Sequence, residues 1–356
     1  MKCKLSDICD FRKGKVEVEN LNTKNYISTE NMLPNKSGIT EATSLPNVSS
    51  TQEYKNGDVL VSNIRPYFKK IWQARYDGGC SNDVLVFVPK STTDRDFLYY
   101  LLAYDDFFTY SMATSKGTKM PRGDKTSIMQ YEVPMLDFCT QKKIASVLKS
   151  LDEKIELNNA INENLEQQAQ AIYCDMFITN ANPSWQLGRL SDLIAVRYGK
   201  NHKKLADGIY PVYGSGGIMR YAEKPLYDKE SVLIPRKGTL NNVMYVNKPF
   251  WSVDTMFFTE MKLPNVAKFV FHFVKSKDLA SLNAGSAVPS MTTDILNAME
   301  LSIPDANTLY KFENIVAPMY QAMQQNTQQS SKLAELRDSL LPRLMSGEID
   351  VTDIQI

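Results

Sequence analysis

The feature that most constrains this chain is an internal duplication. The segment LSDICDFRKGK at 5–15 returns as LSDLIAVRYGK at 190–200, and four further pairs of segments follow in the same order. An ordered repeat of this length indicates two similar modules, each about half of the chain. Two such modules suit a target that itself has two parts. The further pairs are VLVSNIRP at 59–66 with VLIPRKGT at 232–239, CSNDVLVF at 80–87 with WSVDTMFF at 251–258, GTKMP at 117–121 with GSAVP at 285–289, and two heptad-spaced segments that begin near Ile144 and Ile315.

Composition indicates an ordinary globular protein. The chain has 356 residues, of which 43% are hydrophobic and 23% charged, so it has room for two domains and connectors. No apolar run approaches the length of a membrane span, and MKCKLSDICDF at the N-terminus lacks the apolar stretch of a signal peptide. The five cysteines form no CxxC pair, and His202 and His272 are far apart. We therefore expect a cytoplasmic protein with reduced thiols and no metal site.

Each module mixes short strands with helices. In residues 1–140 we predict strands at Val59–Val61 and Val84–Val88 and a helix at 95–111. Residues 185–308 repeat the pattern, with strands at Val232–Ile234 and Val243–Val246 and a helix near 265–281. Strand and helix do not alternate regularly, which argues against a doubly wound parallel sheet. The predicted fold class is α+β, with two repeated domains built on mixed or antiparallel sheets.

Each module is followed by a long segment with heptad spacing, at 141–178 and 309–348. Matched 3.5-residue periodicity in one chain predicts two helices that form an intramolecular antiparallel coiled coil. The alternative is that each helix packs on its own domain. About 36 residues at 1.5 Å each would make a rod of roughly 54 Å, long enough to hold two modules apart. The predicted seam positions are Ile144, Leu148, Leu151, Ile155, Asn158, Asn162, Leu165, Ala169, Ile172 and Met176 on the first helix, and Ile315, Met319, Ala322, Asn326, Gln329, Leu333, Leu336 and Leu340 on the second.

Amide side chains interrupt both seams near their middle. Asn158 and Asn162 lie on the first seam, and Asn326 and Gln329 lie at nearly the same depth on the second. Antiparallel pairing about the helix centres would let these amides bond to one another, whereas another register would set each against Leu or Ile, at a cost of roughly 1–3 kcal/mol. We predict that they fix the register of the helices. The alternative is a seam that is wet at this point or covered by a partner.

Net charge is +1, so any case for nucleic acid rests on local charge. Both modules have basic clusters with few acidic residues and some aromatic neighbours, which could neutralise phosphates and reach base edges. A single cluster would be taken for a solvated surface run; clusters in both modules give the two interpretations equal weight. The clusters are Arg65, Lys69 and Lys70 around Tyr67 and Phe68, then Lys116, Lys119, Arg122 and Lys125, and then Arg197, Lys200, Lys203 and Lys204.

Motifs for catalysis are absent from the sequence. There is no GxxxxGK[ST] loop, no GxSxG elbow, no HExxH helix and no Asn-Pro-Pro-Tyr type motif for methyl transfer. GSGG at 214–217 lacks GxGxxG spacing and fits a turn better than a phosphate cradle. The acidic pairs Asp105–Asp106 and Asp152–Glu153 lie on helical stretches, where a solvated face is the ordinary explanation. The sequence therefore favours a binder with a spacer over an enzyme.

At the level of motifs, the whole chain resembles the specificity subunit of type I restriction-modification systems. The resemblance rests on the L-S-D-[IL] start of each module and on the glycine segments GTKMP and GSAVPSM, each just before a helix. It rests also on QKKIASVLKSLDEKIELNN at 141–159 and LAELRDSLLPRLMSGEI at 333–349. Together these are specific, although any one would be weak. The resemblance implies two target-recognition domains, at 1–140 and 185–308, separated by conserved helices at 141–178 and 309–348 that form an antiparallel coiled coil.

The resemblance also implies a function. Each recognition domain would read one half of a bipartite double-stranded DNA sequence, with a gap of unread base pairs between. Two modification (methyltransferase) subunits would dock on the helices and bring S-adenosylmethionine, and restriction subunits would bring ATP-driven translocation and cleavage. This chain itself would bind no cofactor and catalyse nothing. Half-sites roughly 34–36 Å apart lie on one face of a duplex, a distance that the predicted rod can bridge.

Individual DNA contacts are predicted from the basic and polar loops. For Arg65, Tyr213 and Arg236 a structural role has equal weight. The runner-up function is a two-domain scaffold or inhibitor that binds proteins, and an enzyme comes third. Salt-sensitive DNA binding that needs a methyltransferase partner would favour the first function, and methyl transfer by the purified chain would revive the last. The candidate DNA-binding residues are Arg65, Tyr67, Lys69, Lys119, Arg122, Lys200, Lys203, Tyr213, Ser215, Arg236, Lys237 and Ser286.

Overall fold

The computed structural model describes residues 2–282, 290–352 and 354. The chain divides into two compact units: the first runs to Asn158 and resumes at Thr327, and the second is Asn159–Asn326. Each unit includes part of both long helices. The units therefore do not test the predicted recognition-domain limits of 1–140 and 185–308, which stay predictions.

The first unit is an α+β assembly of short strands and helices. Its last helix, α5, continues into the second unit. Single 3-10 turns occur at Val18–Asn20 and Pro66–Phe68. The elements are β1 (Lys2–Lys4), α1 (Leu5–Ile8), β2 (Cys9–Phe11), β3 (Lys15–Glu17), β4 (Tyr26–Ile27), β5 (Ser50–Tyr54), β6 (Val59–Ser62), β7 (Ile71–Gln73), β8 (Gly78–Cys80), β9 (Val84–Pro89), α2 (Arg95–Ala103), α3 (Asp105–Ala113), α4 (Lys125–Ile128), β10 (Glu132–Pro134) and α5 (Phe138–Cys174).

Two four-stranded sheets form the body of the first unit. One has the order β2-β9-β6-β7 and is antiparallel; the other has the order β3-β5-β8-β4, with β4 and β8 parallel. The central strands β6 and β9 are apolar on both faces because both faces are covered. Val59 and Val61 pack with helices α2 and α3, while Leu60 packs with residues of the second sheet such as Tyr54. β1 pairs separately with β10.

The second unit repeats this plan. It begins with the rest of α5 and the π-helical turn Asp175–Thr179 and includes the first part of α9. Its elements are β11 (Gln186–Arg189), α6 (Leu190–Leu193), β12 (Ile194–Tyr198), β13 (Asp207–Gly214), β14 (Gly217–Ala222), β15 (Ser231–Pro235), β16 (Met244–Val246), β17 (Trp251–Ser252), β18 (Met256–Met261), α7 (Ala267–Lys275), α8 (Thr293–Asn297), β19 (Glu300–Ile303) and α9 (Ala306–Met345).

Strand order in the second unit confirms the duplication. Its antiparallel sheet β12-β18-β15-β16 repeats the order of β2-β9-β6-β7, and β11 pairs with β19 as β1 pairs with β10. A three-stranded sheet β14-β13-β17 covers the other face, with β13 and β17 parallel. Again the central strand is buried on both sides: Val232 and Ile234 pack with the helices, and Leu233 packs with the smaller sheet.

The two long helices begin in the same way. Asp137 accepts a hydrogen bond from the backbone N–H of Thr140, and Asp305 accepts one from Thr308, at 3.0 and 2.9 Å. Each aspartate therefore satisfies a backbone donor that the first helical turn leaves open. The backbone N–H of Thr308 is the main reason that the pKa of Asp305 falls to about 2.

Within each unit the segments of α5 and α9 are antiparallel, because higher residue numbers on one helix face lower numbers on the other. In the first unit Asp152 accepts from Arg337 at 2.6 Å and Asn158 donates to Gln329 at 2.9 Å. In the second unit Asn326 donates to Asn162 at 2.9 Å, and the ring of Phe312 contacts that of Tyr173. The fold class, two repeated α+β modules with antiparallel long helices, agrees with the sequence prediction.

Two local predictions are wrong. The predicted seam on α9 is wrong at Ile315 and Leu336, which are 47% and 46% exposed, whereas the predicted positions Met319 and Leu340 pack against the cores. The inward positions beside them are taken instead by Arg337, which donates to Asp152, and by Tyr320, which bonds to His272. The helix predicted at 95–111 is broken at Tyr104, which has extended backbone (φ −67°, ψ 138°), and the break lets both α2 and α3 bury aromatic side chains.

Candidate nucleic-acid interface

In the first unit the backbone brings two basic segments together, residues 63–70 and 115–125. Arg65 N–H donates to the carbonyl of Pro121 at 2.8 Å, and Gly123 N–H donates to that of Asn63 at 3.2 Å. Lys116 and Arg122 exchange a pair of backbone hydrogen bonds that close the second segment into a hairpin. The two segments carry seven basic residues against the single acidic residue Asp124. They form one positively charged surface, here called the first basic surface.

Arg65 has an unusual backbone at the centre of this surface. Its φ of 50° and ψ of 65° lie in the left-handed region, which costs an L-residue about 1–2 kcal/mol. The Nε of Arg65 is buried and has no hydrogen-bond partner within the described residues, and the same is true of Asn63 Oδ1. Backbone strain clusters at functional sites, so the combination of strain and an unsatisfied buried donor favours a functional role for Arg65.

The 3-10 turn Pro66–Phe68 presents two aromatic side chains. Tyr67 is 49% and Phe68 37% exposed, and their ring centroids lie 4.6 Å apart. The ammonium of Lys69 is already paired with Asp105 at 2.7 Å, as is that of Lys36. Burial alone would raise the pKa of Asp105, but the two lysines outweigh it and lower the pKa. Lys69 is thus a weaker phosphate-binding candidate than its sequence position suggests.

The hairpin supplies the freer charges. Lys119 is exposed and makes no hydrogen bond or ion pair within the described residues. Arg122 is mostly exposed, with its guanidinium 3.2 Å from Asp83. Lys116 hydrogen-bonds to Asp124, which lowers the pKa of that carboxyl to about 2 with the help of the backbone N–H of Ser127. The exposed ion pair between Arg122 and Asp83 contributes little to stability, so Arg122 can exchange Asp83 for a phosphate.

A comparable surface exists in the second unit. The Arg236 guanidinium lies 5.4 Å from the ring centroid of Tyr198 and donates to the carbonyl of Asp254 at 3.4 Å. Lys237 is exposed and forms a backbone bridge with Ser290. A β-carbon added at Gly238 would lie 2.6 Å from Ser215 Oγ, so the β13–β14 turn meets this loop closely.

Lys200 and Lys203 lie on the loop after β12, beside the same turn. Both are exposed. The backbone of Lys200 is fixed on both sides: its N–H donates to Ser252, and its carbonyl accepts from the Trp251 indole at 2.8 Å. Lys200, Ser215, Arg236 and Lys237 therefore belong to neighbouring loops of one surface, here called the second basic surface.

Two remaining candidates do not join this surface in the same way. Tyr213 is only 8% exposed and packs in the core of the small sheet near Phe250, and burial raises its pKa to about 12. Its position favours the structural role that the sequence left open. Ser286 lies outside the described residues. Phe68, Asn63 and Lys116 also belong to the first surface and were not among the predicted contacts; the FKK run after Tyr67 was the available signal for Phe68.

The two surfaces share a backbone bridge and a positive φ but differ in side chains. The bridge between Ile64 and Arg122 has its counterpart in the bridge between Lys237 and Ser290. Arg65 therefore corresponds to Gly238, which also has a positive φ, of 86°. The same backbone shape carries arginine in one module and glycine in the other.

The described residues contain neither a cluster suited to a metal ion nor a membrane-spanning helix. Residues 2–282, 290–352 and 354 bring together no group of three or more His, Cys, Asp or Glu side chains that could hold a metal ion. Over the same residues, no helix is both long enough and apolar enough to cross a membrane. The arrangement can bind an anionic partner through exposed basic and aromatic side chains.

Comparison with known proteins agrees with this description. Residues 1–167 and 182–330 match the family model described as the type I restriction modification DNA specificity domain. Among curated relatives, the specificity subunit of the MjaIX type I restriction enzyme from Methanocaldococcus jannaschii is 24% identical over 311 residues, covering 75% of this chain and 72% of that protein. The HindI specificity subunit from Haemophilus influenzae is 22% identical over 448 residues, covering 91% and 94%.

A solved structure shares the fold. The S subunit of a type I restriction-modification system from M. genitalium superposes with a TM-score of 0.61 at 19% identity and covers 97% of this chain and 96% of its own. At this identity the likeness concerns the fold.

Proposed function

Because the chain belongs to the type I restriction-modification DNA specificity family, we propose that it reads a two-part duplex sequence, one half-site with each basic surface. As a specificity subunit it recognises DNA and carries no catalytic centre of its own. The observation that carries the two-part proposal is the pair of surfaces that share backbone geometry, around Arg65 and around Gly238, but differ in side chains.

Within each surface we assign positioning and reading to different residues. Exposed lysines such as Lys119, Lys200 and Lys203 neutralise phosphates and set the position of the duplex. Arg122 and Arg236 can form bidentate hydrogen bonds to a guanine edge in the major groove. Ser215 and Lys237 lie beside Arg236 and contact the same stretch of DNA, while Lys69 and Tyr213 act mainly by holding their loops.

We further propose that two modification subunits dock on α5 and α9, and that restriction or translocase subunits join them. S-adenosylmethionine and ATP would then be bound by these partners in the cytoplasm. In support of docking, both long helices keep exposed apolar side chains, including Leu157 (51%), Ile315 and Leu336. The purified chain alone is expected to transfer no methyl group and to hold no stoichiometric metal.

Methylation mapping tests the proposal. The chain is co-expressed with its modification subunit, and methylated adenines are mapped across genomic DNA. We expect one bipartite sequence, and exchange of residues 1–140 for those of another family member should change one half of it only. If both halves changed, one module would not read one half-site. If the chain bound proteins but neither bound nor directed methylation of DNA, the scaffold function would replace this one.

A further inference from the structure

The side chains of Tyr67 and Phe68 are partly exposed to water, although burial of aromatic rings is ordinarily favourable. The rings contact each other at 4.6 Å with a 50° tilt, and the Tyr67 hydroxyl makes no hydrogen bond within the described residues. The Lys70 ammonium lies 5.7 Å from the Phe68 ring centroid and donates a hydrogen bond of 2.6 Å to the carbonyl of Thr29. Tyr67 is 49% and Phe68 37% exposed, so each ring keeps part of its surface open to a partner.

Backbone strain is concentrated beneath this pair. Of the five non-glycine residues with positive φ in the described chain, four flank it: Asn35, Lys36, Arg65 and Lys69. The strained segments are tied together, because Asn35 N–H donates to the carbonyl of Phe68 and Lys36 N–H to that of Lys69, at 2.8 and 2.9 Å. Strain that the surroundings hold in place is typical of ligand-binding sites. These hydrogen bonds thus hold in place the turn that carries the two exposed rings.

The charge around the two rings indicates what kind of partner they contact. They lie within the first basic surface, which also carries Lys119, unpaired within the described residues, and Arg122, whose exposed ion pair with Asp83 can be exchanged for a phosphate. A partner with negative charge at its rim and flat apolar faces within fits this combination, and duplex DNA has both. Aromatic or apolar side chains that enter a base step unstack it and bend the duplex.

The second module has no exposed aromatic pair at the positions that correspond to Tyr67 and Phe68. By the bridge equivalence that pairs Arg65 with Gly238, Tyr67 corresponds to Leu240, which is 3% exposed and belongs to the core. The neighbouring Asn241 bonds to Asp278. The feature is therefore not required by the shared fold.

We propose that Tyr67 and Phe68 form a wedge that enters between two base pairs of the half-site read by the first unit. The proposal rests on the DNA-reading function given above and deepens it. The first half-site is then selected partly by how easily one base step opens, a property that pyrimidine–purine steps have, while the second half-site is selected without it.

The test uses the full chain in complex with its modification subunits and DNA that carries 2-aminopurine at successive positions. Unstacking of a base raises 2-aminopurine fluorescence. With the unaltered chain we expect a rise at one step of the first half-site and none in the second. Tyr67→Ala combined with Phe68→Ala should abolish the rise and weaken binding by about ten-fold or more, because base stacking on aromatic rings is lost.

Controls separate the wedge from charge and from folding. Tyr67→Phe keeps the ring and should keep the fluorescence rise. Lys119→Ala should keep the rise but reduce the salt dependence of binding by about one phosphate contact, whereas the double alanine variant should leave that dependence unchanged. Leu187→Ala, at a residue 72% exposed on β11 in the second unit, should change nothing.

The outcomes are distinguishable. If the unaltered complex does not bind its sequence specifically, the proposed function fails. If it binds specifically but no step brightens, or the double alanine variant brightens as before, only the wedge is overturned. If the double variant binds DNA normally and instead loses a modification subunit during co-purification, the pair is a protein-docking site.

Discussion

Asn158 Nδ2 donates a hydrogen bond of 2.9 Å to Gln329 Oε1 within the first unit. Asn158 is 1% exposed, so its amide would be costly without a partner. A further hydrogen bond, of 3.3 Å, reaches Ser330 Oγ. In the second unit the analogous pair is Asn162 with Asn326. The pairing of seam amides that the sequence predicts is present in each unit, and its role in setting the register stays a prediction.

Asn158→Leu combined with Gln329→Leu tests that role. Leucine at position 158 buries an apolar side chain where Asn158 buried an amide, and Gln329 is exposed, so stability should be kept or raised. Without the amides the helices can slip, and the DNA gap length accepted during methylation should broaden. Melting temperature and mapped methylation sites measure the two effects. A double variant with an unchanged, sharply defined gap would show that the amides do not set the register.

Asn162→Leu alone provides the contrast. It removes the 2.9 Å hydrogen bond between Asn326 and Asn162, which should lower the free energy of unfolding by about 0.5–1.5 kcal/mol. Adding Asn326→Leu in the same chain completes a double-mutant cycle, in which the second replacement should cost less than it does alone. A double-mutant cycle with no coupling would indicate that the 2.9 Å contact carries no net free energy.

His272 predicts a pH dependence of stability in the second unit. Its Nδ1 lies 2.7 Å from Gln170 Oε1 and its Nε2 lies 2.9 Å from the Tyr320 hydroxyl. Burial, followed by the charge of Lys275, lowers the pKa of His272 from 6.5 to about 4. The folded pKa lies below the unfolded one, so stability is full above pH 6.5 and is lost as pH falls toward 4. The loss should be on the order of 3 kcal/mol.

His272→Gln isolates this effect, because glutamine keeps hydrogen-bonding capacity but does not titrate. Urea unfolding at pH 7.5 and at pH 4.5 should show a smaller difference for the variant than for the unaltered chain. Lys275, which is paired with Glu166, faces the same region and stays constant in this comparison. Equal pH dependence in both proteins would mean that other groups dominate.

Arg65→Gly separates function from strain. Glycine occupies the equivalent position in the second module, Gly238, and adopts positive φ without steric cost. Relief of the strain should stabilise the fold by up to about 1 kcal/mol, after allowance for the entropy that glycine adds to the unfolded chain. DNA binding should nevertheless weaken. A variant that melts higher but binds DNA as before would assign Arg65 no part in recognition.

The sequence predicts the architecture well because heptads and turn residues are local signals, and because the duplication is visible when the two halves of the sequence are compared. It places β6, β9 and β15 within a residue of their observed bounds. It is less accurate where tertiary contacts decide. Val61 pairs with Leu85 and Ile234 with Phe257, so the true correspondence of the 80–87 and 251–258 segments is shifted by one residue from the sequence alignment.

The candidate site is harder to predict, because exposure depends on folding of distant segments. Tyr213 and Tyr67 look alike in sequence, yet one is 8% and the other 49% exposed. Lys69 and Lys119 differ likewise, because only Lys69 meets an acidic helix start, at Asp105. No local pattern reports such a partner 36 residues away.

Arg236 distinguishes reading from positioning in the second module. Arg236→Ala removes a cation–π contact with Tyr198, which should cost at most about 1 kcal/mol of stability.

If Arg236 reads a base, Arg236→Lys keeps the charge but loses the planar fork, and binding should weaken by about 1–3 kcal/mol at one sequence position only. If it meets a phosphate, the lysine variant should bind all sequences nearly as well as the original. Competition binding with each single substitution in the second half-site separates these results. Arg122→Ala, in the first module, should leave second-half preferences untouched. Unchanged affinity with a lower melting temperature for Arg236→Ala would show that the residue is structural.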